Sequence, residues 1–190
     1  MHDLLFQNIT KHISLTQDEQ TLLKSKILSA TFDKNQIILE PGNHSNQLYF
    51  VKSGCLRVFQ PQEDGQEINV LFCPENWWAC DILSFSDGKP ATFGIDCLES
   101  TEVCYFTATD MDYLYGRIPK LERFFRILFQ NAFALYQRRL ALLLSTSAET
   151  RYKLFKTQYP TLEARIAQKH IASYLGITPV FLSMLRKKKL

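Results

Sequence analysis

The sequence predicts an α+β fold, in which an antiparallel β-roll with flanking helices precedes a long helix and a C-terminal helix-turn-helix. Three observations carry this prediction. Short β-rich runs separated by turn residues occupy residues 32–106, a regular helical pattern follows over 119–144, and a second helical pair ends the chain. We therefore divide the chain into a roll domain (1–118), a long helix with a hinge (119–147) and a C-terminal domain (148–190).

The composition is that of a globular protein with a buried core. Among the 190 residues, 46% are hydrophobic and 22% are charged, with only seven Gly and seven Pro. Nowhere is there an uninterrupted apolar run of the roughly 18 residues that suggest a membrane helix, and the first residues lack the basic start of a signal peptide. We therefore expect a soluble, cytoplasmic protein with no membrane partner.

The first 30 residues follow a helical pattern. Apolar residues recur at spacings of three and four, and Thr16 with Glu19 forms a capping box before the second helical stretch. The apolar positions are Leu4, Leu5, Ile9, Ile13, Leu22, Leu23, Ile27 and Leu28.

The following segment predicts six short strands. Turn pairs such as Pro41-Gly42, Ser53-Gly54 and Asp64-Gly65 separate these runs at intervals typical of antiparallel sandwiches and rolls. The predicted strands cover residues 36–39, 47–51, 56–60, 68–72, 93–97 and 102–106.

The long helix carries two apolar stripes. Both step by alternating intervals of four and three residues, as in a coiled-coil seam. One stripe can cover the β-roll while the other meets the same helix of a second copy, and we assign the first stripe to the homodimer interface. The alternative is a helix buried on two sides of its own domain. The assigned stripe comprises Leu121, Phe125, Leu128, Ala132, Leu135 and Leu142, with Arg139 in step between the last two, and the second comprises Phe129, Phe133, Tyr136, Leu140 and Leu143.

Residues 168–187 fit a helix-turn-helix. Ala172 is small where the two helices would cross, and Gly176 occupies the turn, where a positive φ is needed. Thr178 is positioned to cap the second helix, with Pro179 in its first turn. The shared interior would comprise Ile171, Leu175, Ile177, Leu182 and Leu185.

The charge distribution indicates a polyanion partner for this unit. Residues 148–190 contain nine Lys or Arg against two Glu, whereas the rest of the chain contains 13 basic and 17 acidic residues. In a helix-turn-helix the second helix enters the major groove, and basic side chains contact phosphates. We therefore assign contacts with double-stranded DNA to Gln168, Lys169, Thr178, Pro179, Val180, Ser183, Arg186, Lys187 and Lys188.

The order of these parts resembles the cyclic-AMP receptor protein and Fnr (Crp/Fnr) family of transcription regulators. Segments 47–59, 77–102 and 168–187 carry the resemblance, which spans nearly the whole chain. It implies a cyclic-nucleotide-binding-like jelly roll with an effector pocket, and a homodimer on a pseudo-palindromic operator. RNA polymerase is a further candidate partner.

The nucleotide-binding cassette of that family departs from its pattern here. Family members hold the ribose and phosphate with Gly-Glu and, about ten residues later, Arg-Ser or Arg-Thr. Cys80-Asp81 and Ala91-Thr92 stand at these positions, and Tyr136 replaces a small hydroxyl residue on the long helix. Because the phosphate-binding arginine is missing, we expect no tight cyclic-AMP binding. Asp81 then becomes a capping or turn carboxylate, and the effector is either another small molecule or none.

We expect no metal, no cofactor and no catalytic site. The chain has no CxxC or HExxH spacing, no cysteine precedes Cys55 where an Fnr-type iron–sulfur cluster would need one, and no nucleophile or nucleotide-binding motif occurs. The five cysteines are expected to be reduced and to pack as small apolar residues. The alternative function is an effector-binding or protein-interaction module with little intrinsic DNA binding.

Overall fold

The structure is a computed structural model that describes residues 3–187, so Lys188 lies outside the described residues. Its helices are α1 (Asp3–Thr10), α2 (Gln17–Lys26), α3 (Ile82–Asp87), α4 (Ala108–Arg117), α5 (Lys120–Ser145), α6 (Ala148–Gln158), α7 (Leu162–Arg165), α8 (Gln168–Leu175) and α9 (Pro179–Lys187). Its strands are β1 (Leu28–Phe32), β2 (Ile37–Leu39), β3 (Gln47–Ser53), β4 (Leu56–Pro61), β5 (Glu67–Cys73), β6 (Trp78–Ala79), β7 (Gly94–Cys97) and β8 (Thr101–Thr107).

The strands form two four-stranded antiparallel sheets, in the orders β1-β8-β3-β6 and β2-β7-β4-β5. Apolar side chains between the sheets fill the roll interior, among them Val51, Val58 and Ile95. A second core joins the first sheet to α1, α2, α4 and the start of α5. The predicted α+β roll with flanking helices is confirmed.

Several elements differ from the prediction: β1 replaces the end of a predicted helix, and β6, α3, α4 and α7 have no predicted counterpart. The helical pattern predicted to residue 30 ends at Lys26, and Leu28–Phe32 pairs along β8 as strand β1. Ile27 and Leu28 fit either period, and pairing with β8 decides between them. The helix α3 was not predicted, although Asp81, expected as a capping or turn carboxylate, caps its start, and Gly88 ends it at a φ of 64°.

The predicted dimer stripe on α5 is wrong at its first two positions. Leu121 and Phe125 are buried in the chain's own core, where Phe125 packs edge-on against Trp78. Farther along the same stripe, Leu128 packs on that core and Leu135 packs on the roll interior. The stripe covers the protein's own body, because the β-roll and α4 supply the apolar surface that this face needs.

The C-terminal helices share a core with the roll. Phe72 of β5 contacts the rings of Phe155, Tyr159 and Tyr174, with centroid separations of 5.1 to 6.2 Å. Because α8 lies directly against β5, the helix-turn-helix has a fixed position relative to the roll.

Candidate nucleic-acid interface

The turn between α8 and α9 is built around Gly176. This residue adopts a left-handed φ of 66°, which a residue with a Cβ rarely adopts. The N–H of Ile177 donates to the carbonyl of Ala172 at 3.0 Å, which closes the end of α8. The predicted glycine turn is confirmed.

The second helix of the motif, α9, begins at a side-chain cap. The N–H of Phe181 donates to the hydroxyl of Thr178 at 3.2 Å, as predicted from the sequence. Leu182 and Leu185 are buried against Ala172 and the rest of the helical core. These contacts fix the outer face of α9 relative to α8.

The predicted DNA contacts lie on two exposed edges of this unit. Gln168 and Lys169 are exposed at the start of α8, and Thr178, Pro179 and Val180 are exposed at the start of α9. Ser183 is half-buried, and the exposed Arg186 and Lys187 end the helix.

Some of the basic side chains in residues 148–187 form ion pairs within the protein. Arg165 forms ion pairs with Glu75 at 2.7 Å and Glu99 at 2.8 Å, both on the roll. Arg186, predicted to contact DNA, forms an ion pair with Glu163 at 3.1 Å. The charge count therefore overestimates the cations that are free to meet phosphates.

A cleft of about 1260 Å³ separates the β4–β5 hairpin from the helix-turn-helix. Glu63, Asp64 and Glu67 line the hairpin side, whereas Lys169 and Pro179 line the other. The start of α9 thus faces a negatively charged hairpin, a juxtaposition that sequence reasoning missed.

Arg57 and His170 link the roll to α8. The buried guanidinium of Arg57 donates to Asp96 at 2.8 Å and pairs with Glu67 at 2.7 Å. It also lies 3.2 Å from Nδ1 of His170. Burial, together with the positive charge of Arg57, lowers the pKa of His170 to about 4. The isolated histidine in the sequence gave no signal of this contact.

Hydrogen bonds along β5 complete the link. The side-chain amide of Asn69 donates to the carbonyl of His170 at 2.7 Å, and its N–H donates to the hydroxyl of Ser173 at 2.9 Å. Ser173 donates in turn to the carbonyl of Glu67 at 2.8 Å. We call the residues Arg57, Glu67, Asn69, His170 and Ser173 the α8–β5 link.

The cassette residues gather around the carboxylate of Asp81. This buried group accepts hydrogen bonds from the N–H groups of Ser84 at 2.9 Å, Thr92 at 2.9 Å and Phe93 at 3.0 Å. Asp81 is thus a capping carboxylate, the alternative favoured by the sequence. Ala91 is buried.

The other cassette-associated positions are poorly suited to holding a phosphate. Burial raises the pKa of the Cys80 thiol to about 12, so this side chain stays neutral. Tyr136, the replacement on α5, is 40% exposed.

The second stripe of α5 is partly to largely exposed. Its exposed members continue to the end of the helix, and Phe133 and Leu140 are 64% and 59% exposed. The stripe as the structure has it comprises Phe129, Phe133, Tyr136, Leu140 and Leu144, with Leu143 half-buried beside it. We call these five exposed residues the α5 stripe.

Within residues 3–187, no three His, Cys, Asp or Glu side chains are grouped so that they could hold a metal ion. No helix there combines the length and the apolar character needed to cross a bilayer.

Comparisons with known proteins agree with this architecture. Residues 30–117 match the family model of the cyclic nucleotide-binding domain. The regulatory protein HlyX of Actinobacillus pleuropneumoniae is 26% identical over 178 residues, covering 87% of this chain and 73% of HlyX. The anaerobic regulatory protein of Pasteurella multocida is also 26% identical, but the match covers 80% of this chain and only 59% of that relative.

Among solved structures, FixK2 from Bradyrhizobium japonicum superposes with a TM-score of 0.77 at 15% identity, over 85% of this chain and 83% of FixK2. This likeness extends through both the roll and the C-terminal helices. The likeness to FixK2 shows the fold, and the curated relatives and the cyclic nucleotide-binding match make this chain similar to regulators of the Crp/Fnr type.

Proposed function

We propose that the protein is a homodimeric transcription regulator that binds a pseudo-palindromic DNA site through α9 of each protomer. The capped helix-turn-helix carries this proposal, because its outer face is exposed and its two ends hold Lys169 and Lys187. Each α9 would lie in a major groove, with the two half-sites about one helical turn apart. A DNA-bound regulator of this kind acts in the cytoplasm, where RNA polymerase is a candidate partner.

The α5 stripe supports dimerisation. Five large apolar side chains at helical spacing are exposed along one face of a 26-residue helix. Exposed apolar stripes of this length mark contact surfaces, and pairing with the same stripe of a second copy would remove them from water. The helix pair would then hold the two reading helices at a fixed separation.

We infer that the roll does not bind cyclic AMP. The Asp81 carboxylate already accepts the N–H groups of Thr92 and Phe93, so a phosphate there would meet a buried negative charge instead of free donors. The arginine that neutralises the phosphate in the family is replaced by the buried Ala91. An effector of other chemistry, or none, fits this roll better.

The α8–β5 link offers a route from the roll to DNA. Because Asn69 and Arg57 contact α8 directly, a shift of β4 or β5 would move the helix-turn-helix. The acidic hairpin beside α9 would move with these strands. We infer that the regulatory signal passes through this contact.

DNA binding is tested with a duplex selected from a random-sequence pool, using fluorescence anisotropy between 50 and 200 mM salt. Replacing Lys169 and Lys187 together by Gln should reduce the slope of log K against log salt by about 3.6, since the dimer loses four phosphate contacts and each contributes about 0.9. The exposed Lys11→Gln is the matched control and should leave the slope unchanged. Tight binding without salt dependence, or no selected duplex at all, would favour the protein-interaction module instead.

A further inference from the structure

The outer face of α9 is apolar where a reading helix ordinarily presents hydrogen-bonding groups. Val180, Phe181 and Met184 are 73%, 40% and 49% exposed. Val180, Met184 and Lys187 follow the spacing of one helix face, whereas Leu182 and Leu185 lie buried on the other. The face that would enter the major groove therefore begins with apolar groups and ends with a cation.

The polar groups at the start of α9 are few. The hydroxyl of Thr178 already accepts the N–H of Phe181, and Ser183 is half-buried. Residues 179–185 contain no Arg, Lys, Asn, Gln, Asp or Glu. The first two turns of α9 thus have no side chain that could form a bidentate hydrogen bond with a base edge.

The major groove presents one apolar group, the C5-methyl of thymine. Resting on the proposed function, we propose that Val180, Phe181 and Met184 recognise thymine methyl groups, so that each operator half-site is specified by A·T pairs beneath the start of α9. Lys169 and Lys187 flank this patch and would meet the phosphates on either side. The patch is a specificity surface within the DNA interface.

Two observations favour DNA over a protein partner for this patch. Three partly exposed side chains are few beside the roughly 20 to 30 residues per side of a standard protein interface. The patch is also bordered by Lys169 and Lys187 of the same unit, which suits a polyanion whose grooves contain methyl groups. A protein partner is an outcome that the experiment below can show.

The experiment removes the methyl groups from the DNA. A duplex selected from a random pool by the full-length protein is resynthesised with deoxyuridine in place of thymidine, one position at a time, and its Kd is measured by anisotropy. Deoxyuridine keeps the base pair and removes only the C5-methyl. At one or two positions in each half-site, we expect binding to weaken about fourfold for each methyl lost.

Protein variants assign the effect to α9. With Met184→Gln or Val180→Ala, the thymidine duplex should bind more weakly while the penalty for deoxyuridine shrinks, as expected for coupled partners. Lys187→Gln is the matched control and should weaken both duplexes by the same factor. These side chains are exposed, so circular dichroism and thermal melting should show that the variants remain folded.

The outcomes separate this inference from the proposed function. Tight, salt-dependent binding that is insensitive to deoxyuridine, or a selected half-site without thymine, would overturn the proposed recognition of thymine methyl groups. The proposal of DNA binding would be unaffected by either result. An unchanged Kd with Met184→Gln would also overturn it and would point to a protein partner for the patch. Failure to select any duplex would overturn both proposals.

Discussion

Nδ1 of His170 lies 3.2 Å from the guanidinium of Arg57, so the hydrogen bonding of a histidine in α8 depends on an arginine of the roll. Nδ1 accepts from Arg57 only while the imidazole is neutral, because a protonated ring has no acceptor. The groups facing the ring include Arg57 and Lys169, which oppose its protonation, and Glu67, which favours it.

Stability should therefore fall as the pH is lowered from about 6.5 to about 4. In this window the unfolded chain binds a proton at His170 that the folded chain does not, so protonation favours unfolding. Urea denaturation at pH values between 7.5 and 4.5 measures the slope. His170→Gln should remove this part of the slope, and an unchanged slope in that variant would mean that carboxylates alone cause the acid sensitivity.

Arg57→Leu should be strongly destabilising. It leaves Asp96 buried without its counter-charge, a type of loss that costs about 3 to 5 kcal/mol. Lys89→Leu is the matched control, because Lys89 forms an exposed ion pair with Asp87 and should cost less than about 1 kcal/mol. Similar free energies of unfolding for the two variants would contradict the assigned role of Arg57.

Asp81→Ala should destabilise the roll by about 1 to 3 kcal/mol, because three buried or half-buried N–H groups lose their acceptor. Urea denaturation of the variant and the natural protein measures the difference.

Thermal melting with and without cyclic AMP tests the inference that the roll does not bind this nucleotide. The natural protein should show no shift, whereas a ligand at 100 times its Kd would add about 2.7 kcal/mol. A clear rise in Tm with cyclic AMP would refute the inference that Asp81 closes the site.

Phe133→Glu with Leu140→Glu should produce a folded monomer. Both side chains lie on the α5 stripe, where a charge opposes pairing but disturbs no internal contact. Light scattering after gel filtration gives the mass, and Asn131→Asp, exposed on another face of the same helix, is the control. Leu121→Glu should instead unfold the protein, because Leu121 is buried in its own core. A double variant that keeps the mass of the natural protein would exclude this stripe as the dimer contact.

Neutralising the hairpin should strengthen DNA binding. Glu63→Gln with Asp64→Asn removes two negative charges from the cleft wall opposite α9, so the repulsion of phosphates decreases. We expect a gain of a few-fold in affinity that shrinks as salt is added. The exposed Glu122→Gln on α5 is the control, and an equal gain in both variants would show that only net charge matters.

Much of the fold could be predicted, because its signals are local. The Thr16 and Glu19 capping box, the turn at Gly176 and the cap at Thr178 depend on a few adjacent residues, and each is present. The start of α6 shows the limit of such signals: Ser147 caps it, whereas Thr146 with Glu149 is an equally good pattern one residue earlier.

The contacts between distant segments could not be predicted. The pairing of Arg57 with His170 spans 113 residues, and no spacing rule connects them. Which stripe of α5 faces inward depends on the surface that the β-strands and α4 present to it, so the sequence prediction for Leu121 and Phe125 is wrong. The predicted DNA residues are exposed as expected, but the ion pair of Arg186 with Glu163 depends on how α7 packs beside α9.

The ring of Phe72 lies among three aromatic rings of the C-terminal helices, so a strand of the roll completes the core of these helices. Such shared packing couples the melting of the two halves, and calorimetry should record one cooperative transition. Cutting the chain at the hinge, near residue 147, would expose this aromatic cluster to water. We expect the resulting fragment to aggregate. The C-terminal helices are therefore an extension of the roll's own core and should not fold when transferred to other proteins.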